Sequence, residues 1–177
     1  MIARVHNGDI SLVSSTGRDW TGDLPFLVAS FRSVTTPRAE TYNAIFDEEV
    51  ALPDERGVTS VSDMRSANKA HLVYFAFDLL WWQDRDLRAL PLEERKAALR
   101  RVLKNAPNGI VFCDHVKGSD GPAFYRAAVA HGCEGIVSKR RDSVYDPAKK
   151  SIWLKVKPAE IRKRQQEAIA RTFKNKR

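Results

Sequence analysis

Two cysteines in 177 residues, Cys113 and Cys133, are too few and too far apart for a disulfide framework, and neither sits in a CxxC pair that would suggest zinc. Both read as reduced, buried, small hydrophobic side chains. The four histidines, His6, His71, His115 and His131, also lack metal-ligand spacing. No run approaches the roughly 18 apolar residues of a membrane span, and the start Met1-Ile2-Ala3-Arg4-Val5-His6 has neither the length nor the order of a signal peptide. The chain therefore reads as a soluble, cytoplasmic protein with no membrane partner. There is no internal repeat, and outside the basic end no low-complexity tract.

What is present is one good core's worth of apolar residues, 43% of the chain, which makes a single domain the default. Formal net charge is +8, and its distribution is uneven. Lys155 to Arg177 holds nine Lys or Arg against Glu160 and Glu167, so most of the excess lies at one end. Such a segment suits a polyanionic partner through salt-dependent, sequence-blind phosphate contacts, and equally suits a solvated terminus.

The pattern predicts mixed α and β elements. Met1 to Val5 and Ile10 to Ser14 alternate apolar residues around Asn7-Gly8, the strongest two-residue hairpin signal. Thr41 to Val50, Leu72 to Leu80, Gly109 to His115, Gly135 to Ser138 and Ile152 to Val156 read as further strands. Several are apolar on both faces and should be central. Leu92 to Leu103 reads as an amphipathic helix after Pro91, with Leu92, Leu99, Val102 and Leu103 inward and Glu93, Glu94, Arg95 and Lys96 elsewhere. A second helix runs from Pro122 to about His131, with Gly132 placed for a left-handed C-cap. A third, over Asp19 to Ser33, takes Asp23 or Thr21 as its cap, and Asp54 to Ala70 reads as loop with one helical turn.

Three segments carry chemistry. Lys155 and Lys157 alternate with Leu154 and Val156, so both ammonium groups leave one face of a strand as a two-pronged phosphate clamp. In Glu134-Gly135-Ile136-Val137-Ser138-Lys139, ideal alternation separates Glu134 from Lys139 unless Gly135 or the strand end introduces a bulge. Phe75-Ala76-Phe77-Asp78 places two rings on one strand face, a pattern that serves a core as well as a base platform.

Together these segments resemble the nucleotidyltransferase, or adenylation, domain of ATP-dependent DNA ligases, and most nearly the bacterial ligases of non-homologous end joining. The resemblance covers about residues 1–160 and implies an α+β fold, a partial ATP-grasp-like domain of mostly antiparallel sheets flanked by helices. It implies ATP or AMP with Mg2+ or Mn2+ as cofactors, nicked or broken duplex DNA as partner, a nucleoid-associated place in the cytoplasm, and other end-joining proteins nearby. By resemblance Glu134 is a metal and catalytic residue, Lys139 contacts the nucleotide, and Phe77, with Phe75 as second choice, stacks on adenine. Phe46-Asp47-Glu48-Glu49-Val50 resembles the family's Leu-Asp-Gly-Glu-Val, which makes Glu49 a metal or ribose ligand and puts Glu48 where the family has glycine. Ser14-Ser15-Thr16-Gly17-Arg18-Asp19-Trp20-Thr21 resembles Thr-Arg-Asn-Gly-x-Asp-Trp-Thr. Ser15 replaces an arginine, and Arg18 is the nearest substitute.

One part has no counterpart in the chain. The family's Lys-x-Asp-Gly, whose lysine attacks ATP, does not occur; the nearest lookalike, Lys117-Gly118-Ser119-Asp120-Gly121, has one residue too many. The expectation is an incomplete adenylation domain over 1–158, truncated before the lysine and unable to self-adenylate, and a basic tail over 159–177 that is the stub of a linker to a missing OB-fold domain. Two alternatives stand beside it: a non-catalytic nucleic-acid-binding remnant, and one piece of a split ligase completed in trans.

Overall fold

The computed structural model describes residues 1–34, 42–60, 71–148, 153–159 and 163. The basic tail beyond Ala159, apart from residue 163, lies outside the described residues, as do residues 61–70 of the expected loop. The chain divides into two compact units, Met1–His115 with Arg141–Ala148, and Val116–Arg140 with Lys149–Arg177.

In the first unit, β1 (Ile2–His6) and β2 (Asp9–Val13) form the hairpin that Asn7-Gly8 announces. Both turn residues have positive φ, +49° and +87°, the type I′ combination whose twist matches that of paired strands. β1 also pairs with β3 (Ala44–Pro53), and β3 with β5 (Val73–Trp82), all antiparallel. The sheet order is β2-β1-β3-β5-β6, where β6 is the short Arg85–Asp86. A two-residue β4 (Thr59–Ser60) pairs with β3, and β7 (Ile110–Phe112) runs parallel to β5. β4 and β6 carry no periodic signal at two residues each, and β7 is shorter than the predicted 109–115.

Ala3, Val5, Leu12, Phe46, Tyr74, Ala76 and Leu79 point into one core, every one of them at most 3% exposed. Helix α1 (Pro25–Arg32) adds Leu27, Val28 and Phe31, and the Phe31 ring meets Tyr74 edge-on at 4.7 Å. α1 follows a 3-10 turn at Thr21–Asp23, and neither predicted cap serves: no side-chain hydrogen bond caps either element. Asp19 does the local work instead, accepting from the Thr21 amide at 2.8 Å and the Thr21 hydroxyl at 2.5 Å. Those bonds hold the Asp19 carboxyl below the usual carboxylate range.

Helix α2 (Leu92–Val102) corrects the amphipathic reading, because Arg95 and Lys96 are buried with Leu92 and Leu99. The reason is that both cations find partners inside. Lys96 Nζ donates to the Cys113 carbonyl at 2.5 Å and lies 4.6 Å from the Phe112 ring centre, and burial pulls its pKa down. Cys113 and Cys133 are each free and half-buried, not fully buried as expected.

The second unit holds α3 (Gly121–Ala130) and the two-stranded antiparallel β8 (Ile136–Lys139) and β9 (Trp153–Val156). Gly132, at φ +95°, ends α3, with the Cys133 amide reaching back to the Ala128 carbonyl at 2.9 Å in the Schellman manner. Lys117 to Gly121, the lookalike of the nucleophile segment, is a 3-10 turn opening α3. Among the described residues, no helix is long and apolar enough to cross a membrane.

Candidate active site

β3 and β5 are out of step twice. Their register slips between Ile45 and Phe46 and again between Asp47 and Glu48, where Asp47 pairs with Asp78 and Glu48 with Ala76. Phe77 is the residue left over, so it sits in a β-bulge, a feature that re-aims side chains near ligand sites. Asp47 and Glu48, consecutive on β3, are both buried, at 9% and 2% exposure. Glu49 alone of the three carboxylates is exposed, directly across from Phe75, and both Phe75 and Phe77 are half-buried. β5 thus offers two rings beside an outward carboxylate.

The two inward carboxylates are treated differently. Asp47 accepts from the Tyr145 hydroxyl at 2.9 Å and from the Glu48 amide at 3.0 Å. Glu48 has no hydrogen bond to either side-chain oxygen among the described residues, although the Met1 ammonium lies 3.6 Å from Oε1. Burial pushes its pKa up to about 9, so it is a neutral acid at pH 7. Where the resemblance has glycine, this chain turns a carboxyl into the core.

Asp78 closes the aromatic segment and is wholly buried against Arg95 of α2. The pair is bidentate, Nε to Oδ1 at 2.8 Å and Nη2 to Oδ2 at 2.9 Å, the geometry that suits a planar guanidinium. Arg95 Nη1 then donates to the Leu90 carbonyl at 2.5 Å and the Ser143 carbonyl at 3.0 Å. Arg141 to Tyr145, which belong to the first unit, are fastened to the rest of it by this contact, by Tyr145 to Asp47, and by an Arg141–Glu93 ion pair at 3.2 Å. Arg95 was missed because a charged residue on a helix defaults to the wet face; its spacing after the aromatic strand was no guide.

In the second unit, Gly135 lies just before β8, whose pairing with β9 runs without a register shift. Its φ is +142°, and a Cβ there would lie 2.1 Å from the Val156 carbonyl oxygen, so β9 passes too close for any other residue. Glu134, just outside β8, is exposed and takes an ion pair from Lys157 Nζ at 2.8 Å. Lys139 is opposite Trp153, its Nζ 3.8 Å from the ring centre, a cation–π contact. Lys155 is opposite Val137 and exposed; β9 ends before Lys157. Glu134, Lys139, Lys155 and Lys157 therefore gather on one two-stranded unit, while Phe77 and Glu49 share the larger sheet. Arg18, the substitute for the absent arginine, lies 3.9 Å from the centre of the Trp20 ring and pairs with Asp23 at 3.2 Å.

No group of three or more His, Cys, Asp and Glu side chains is assembled for a metal among the described residues. Glu49 in the first unit and Glu134 in the second are each an exposed, hard oxygen donor of the type Mg2+ or Mn2+ takes.

The sequence profile of the family described as ATP dependent DNA ligase domain matches residues 1–157. The chain is 31% identical over 159 residues to the multifunctional non-homologous end joining protein LigD of Mycolicibacterium smegmatis, an alignment spanning 89% of this chain and 20% of that protein. To the LigD of Pseudomonas aeruginosa it is 27% identical over 161 residues, again 89% of this chain and 19% of the relative. The ligase domain of Mycobacterium tuberculosis LigD superposes with a TM-score of 0.73 at 26% identity, covering 88% of this chain and 50% of that one. The chain thus spans about one fifth of the curated relatives and half of the solved domain. With its mixed helices and antiparallel sheet in the arrangement of that domain, the chain belongs to the ATP dependent DNA ligase domain family.

Proposed function

We propose that this chain supplies the adenylate- and metal-facing part of an ATP-dependent DNA ligase acting at nicks and breaks in duplex DNA, in repair and recombination by end joining in the cytoplasm at the nucleoid. Residues 1–158 belong to the adenylation domain, and the basic composition of 159–177 suits DNA phosphates. The observation that carries this reading is the bulge in β5, which leaves Phe77 and Phe75 beside the outward Glu49 while Asp47, Glu48 and Asp78 turn inward. Phe77 stacks on adenine, Glu49 faces ribose or metal, Lys139, Lys155 and Lys157 stabilise phosphate charge, and Glu134 is the second metal-facing carboxylate. A bound divalent ion neutralises the phosphoryl oxygens.

Because the 177 residues contain no Lys-x-Asp-Gly, this chain by itself forms no lysyl-AMP. The step open to it is the last one: a DNA 3′-oxygen attacks the adenylated 5′-phosphorus, the phosphoanhydride bond to AMP breaks, and AMP leaves as the hydroxyl proton passes to solvent. The test is twofold. Incubation with labelled ATP and magnesium should give no covalent band on denaturing electrophoresis, and a nicked duplex already carrying 5′-AMP should be sealed. A band would overturn the first statement, and failure to seal the second.

The concentration of positive charge in residues 155–177 favours one other reading, a nucleic-acid-binding remnant. Its binding would fall steeply with salt and be indifferent to adenylation of the nick and to substitution of Glu134. A split ligase would show itself by sealing ordinary nicks only when a second chain bearing Lys-x-Asp-Gly is added.

A further inference from the structure

A bulge is a place where a strand holds one residue more than its partner can pair. Slipping the register there by one residue exchanges the faces of neighbouring side chains. At the β5 bulge the two neighbours are Phe77, half-buried, and Asp78, wholly buried. In the observed register Asp78 pairs with Asp47 and Phe77 is left without a partner on β3. Asp78 is held from α2 by Arg95. Its guanidinium, itself 0% exposed, grips both Asp78 oxygens and, among the described residues, takes no other carboxylate. Its remaining nitrogen is tied to the Leu90 and Ser143 carbonyls, so it cannot follow Asp78 outward.

We propose that Asp78 and Arg95 are a positioning pair: by holding Asp78 inward they lock the bulge so that Phe77 faces out as the adenine platform. This deepens the reading above and rests on it for the identity of the base. A buried ion pair is weak evidence for stability, since its desolvation cost offsets most of its attraction, and register selection is the better-attested use of such groups. An aliphatic pair of similar size would pack as well without choosing a register.

The test replaces both partners, Asp78→Leu with Arg95→Met, because removing one leaves a buried charge unpaired and the fold itself suffers. Calorimetric titration with ATP and with inorganic tripolyphosphate separates base from phosphate recognition. The double variant is expected to melt within a few degrees of the wild type, to bind tripolyphosphate unchanged, and to lose ATP affinity by about tenfold, the scale of one base–aromatic stack. Phe77→Ala should show the same loss, and adding it to the double variant should cost nothing more. Unchanged ATP affinity in the double variant overturns the proposal. If wild-type protein prefers ATP no more than tripolyphosphate, the adenine reading fails instead. The positioning is then judged by hydrogen exchange: amides of residues 76–79 and 141–145 should exchange at least tenfold faster in the double variant while residues 2–13 do not change, and equal protection overturns it.

Discussion

Lys157 Nζ lies 2.8 Å from the Glu134 carboxylate, so the second cation of the expected phosphate clamp is held by the expected metal ligand. Glu134 is 65% exposed at its side chain and Lys157 24%, which makes the pair worth at most about 1 kcal/mol to stability. Its interest lies in competition. Glu134→Gln should leave the melting temperature almost unchanged and, in EDTA, raise tripolyphosphate affinity a few-fold because Lys157 is released. With magnesium the same variant should seal adenylated nicks 10²–10³-fold more slowly, roughly the loss seen when one preorganised electrostatic group is removed. Equal sealing rates would take Glu134 out of the chemistry.

Tyr145 reaches 98 residues back to Asp47, its hydroxyl donating at 2.9 Å. Tyr145→Phe keeps the ring and removes the donor, leaving a buried carboxylate short of one partner. The expected cost is about 1–3 kcal/mol, read by urea unfolding. Hydrogen exchange should place the loosening at residues 141–146. A variant as stable as the wild type would mean that Asp47 finds another donor at no cost.

Much of this arrangement was legible in the sequence, and what was not has a physical reason. Asn7-Gly8 announces its turn because few residues adopt positive φ, and Val73–Trp82 announces a central strand because so many of its residues are β-branched or aromatic. Gly135 or the strand end was expected to introduce a bulge after Glu134; Gly135 takes a positive φ just outside β8, and the β8–β9 register itself runs without a shift. Bulges, by contrast, depend on where the partner strand runs out of step, so neither the inward turn of Glu48 nor the isolation of Glu49 follows from β3 alone. Arg95 and Lys96 are invisible for a related reason: a helix pattern assigns charges to water, and only tertiary partners such as Asp78 and the Cys113 carbonyl reverse that. β4 and β6 exist only by pairing with longer neighbours.

Gly135 offers a sharper structural test. Gly135→Ala places a methyl 2.1 Å from the Val156 carbonyl oxygen, a backbone atom that cannot step aside as a side chain would, at a φ that L-residues rarely adopt. Among the described residues β8 and β9 have only each other as ladder partners, so the pair should open. Amides of residues 136–139 and 153–156 should lose their exchange protection, and the Lys157–Glu134 contact should go with them, while the larger sheet keeps its protection. Retained protection across β8 and β9 would show that the close approach of the two strands is not fixed.

Glu48 makes stability depend on pH in an unusual direction. In the fold it keeps its proton up to about pH 9, whereas an ordinary glutamate ionises near 4.5. Between those values the native state binds one proton more than the unfolded chain, so stability falls as pH rises, by at most about 1.4 kcal/mol per pH unit. The contribution is whole below pH 4.5 and fully lost above about 9. Glu48→Gln is neutral throughout and similar in shape. The variant and the wild type should therefore unfold at nearly the same urea concentration at pH 5, and the variant should be the more stable by pH 8, with the gap widening steadily between. A gap that does not change with pH would mean that Glu48 is already ionised in the fold, its charge matched by the Met1 ammonium at 3.6 Å.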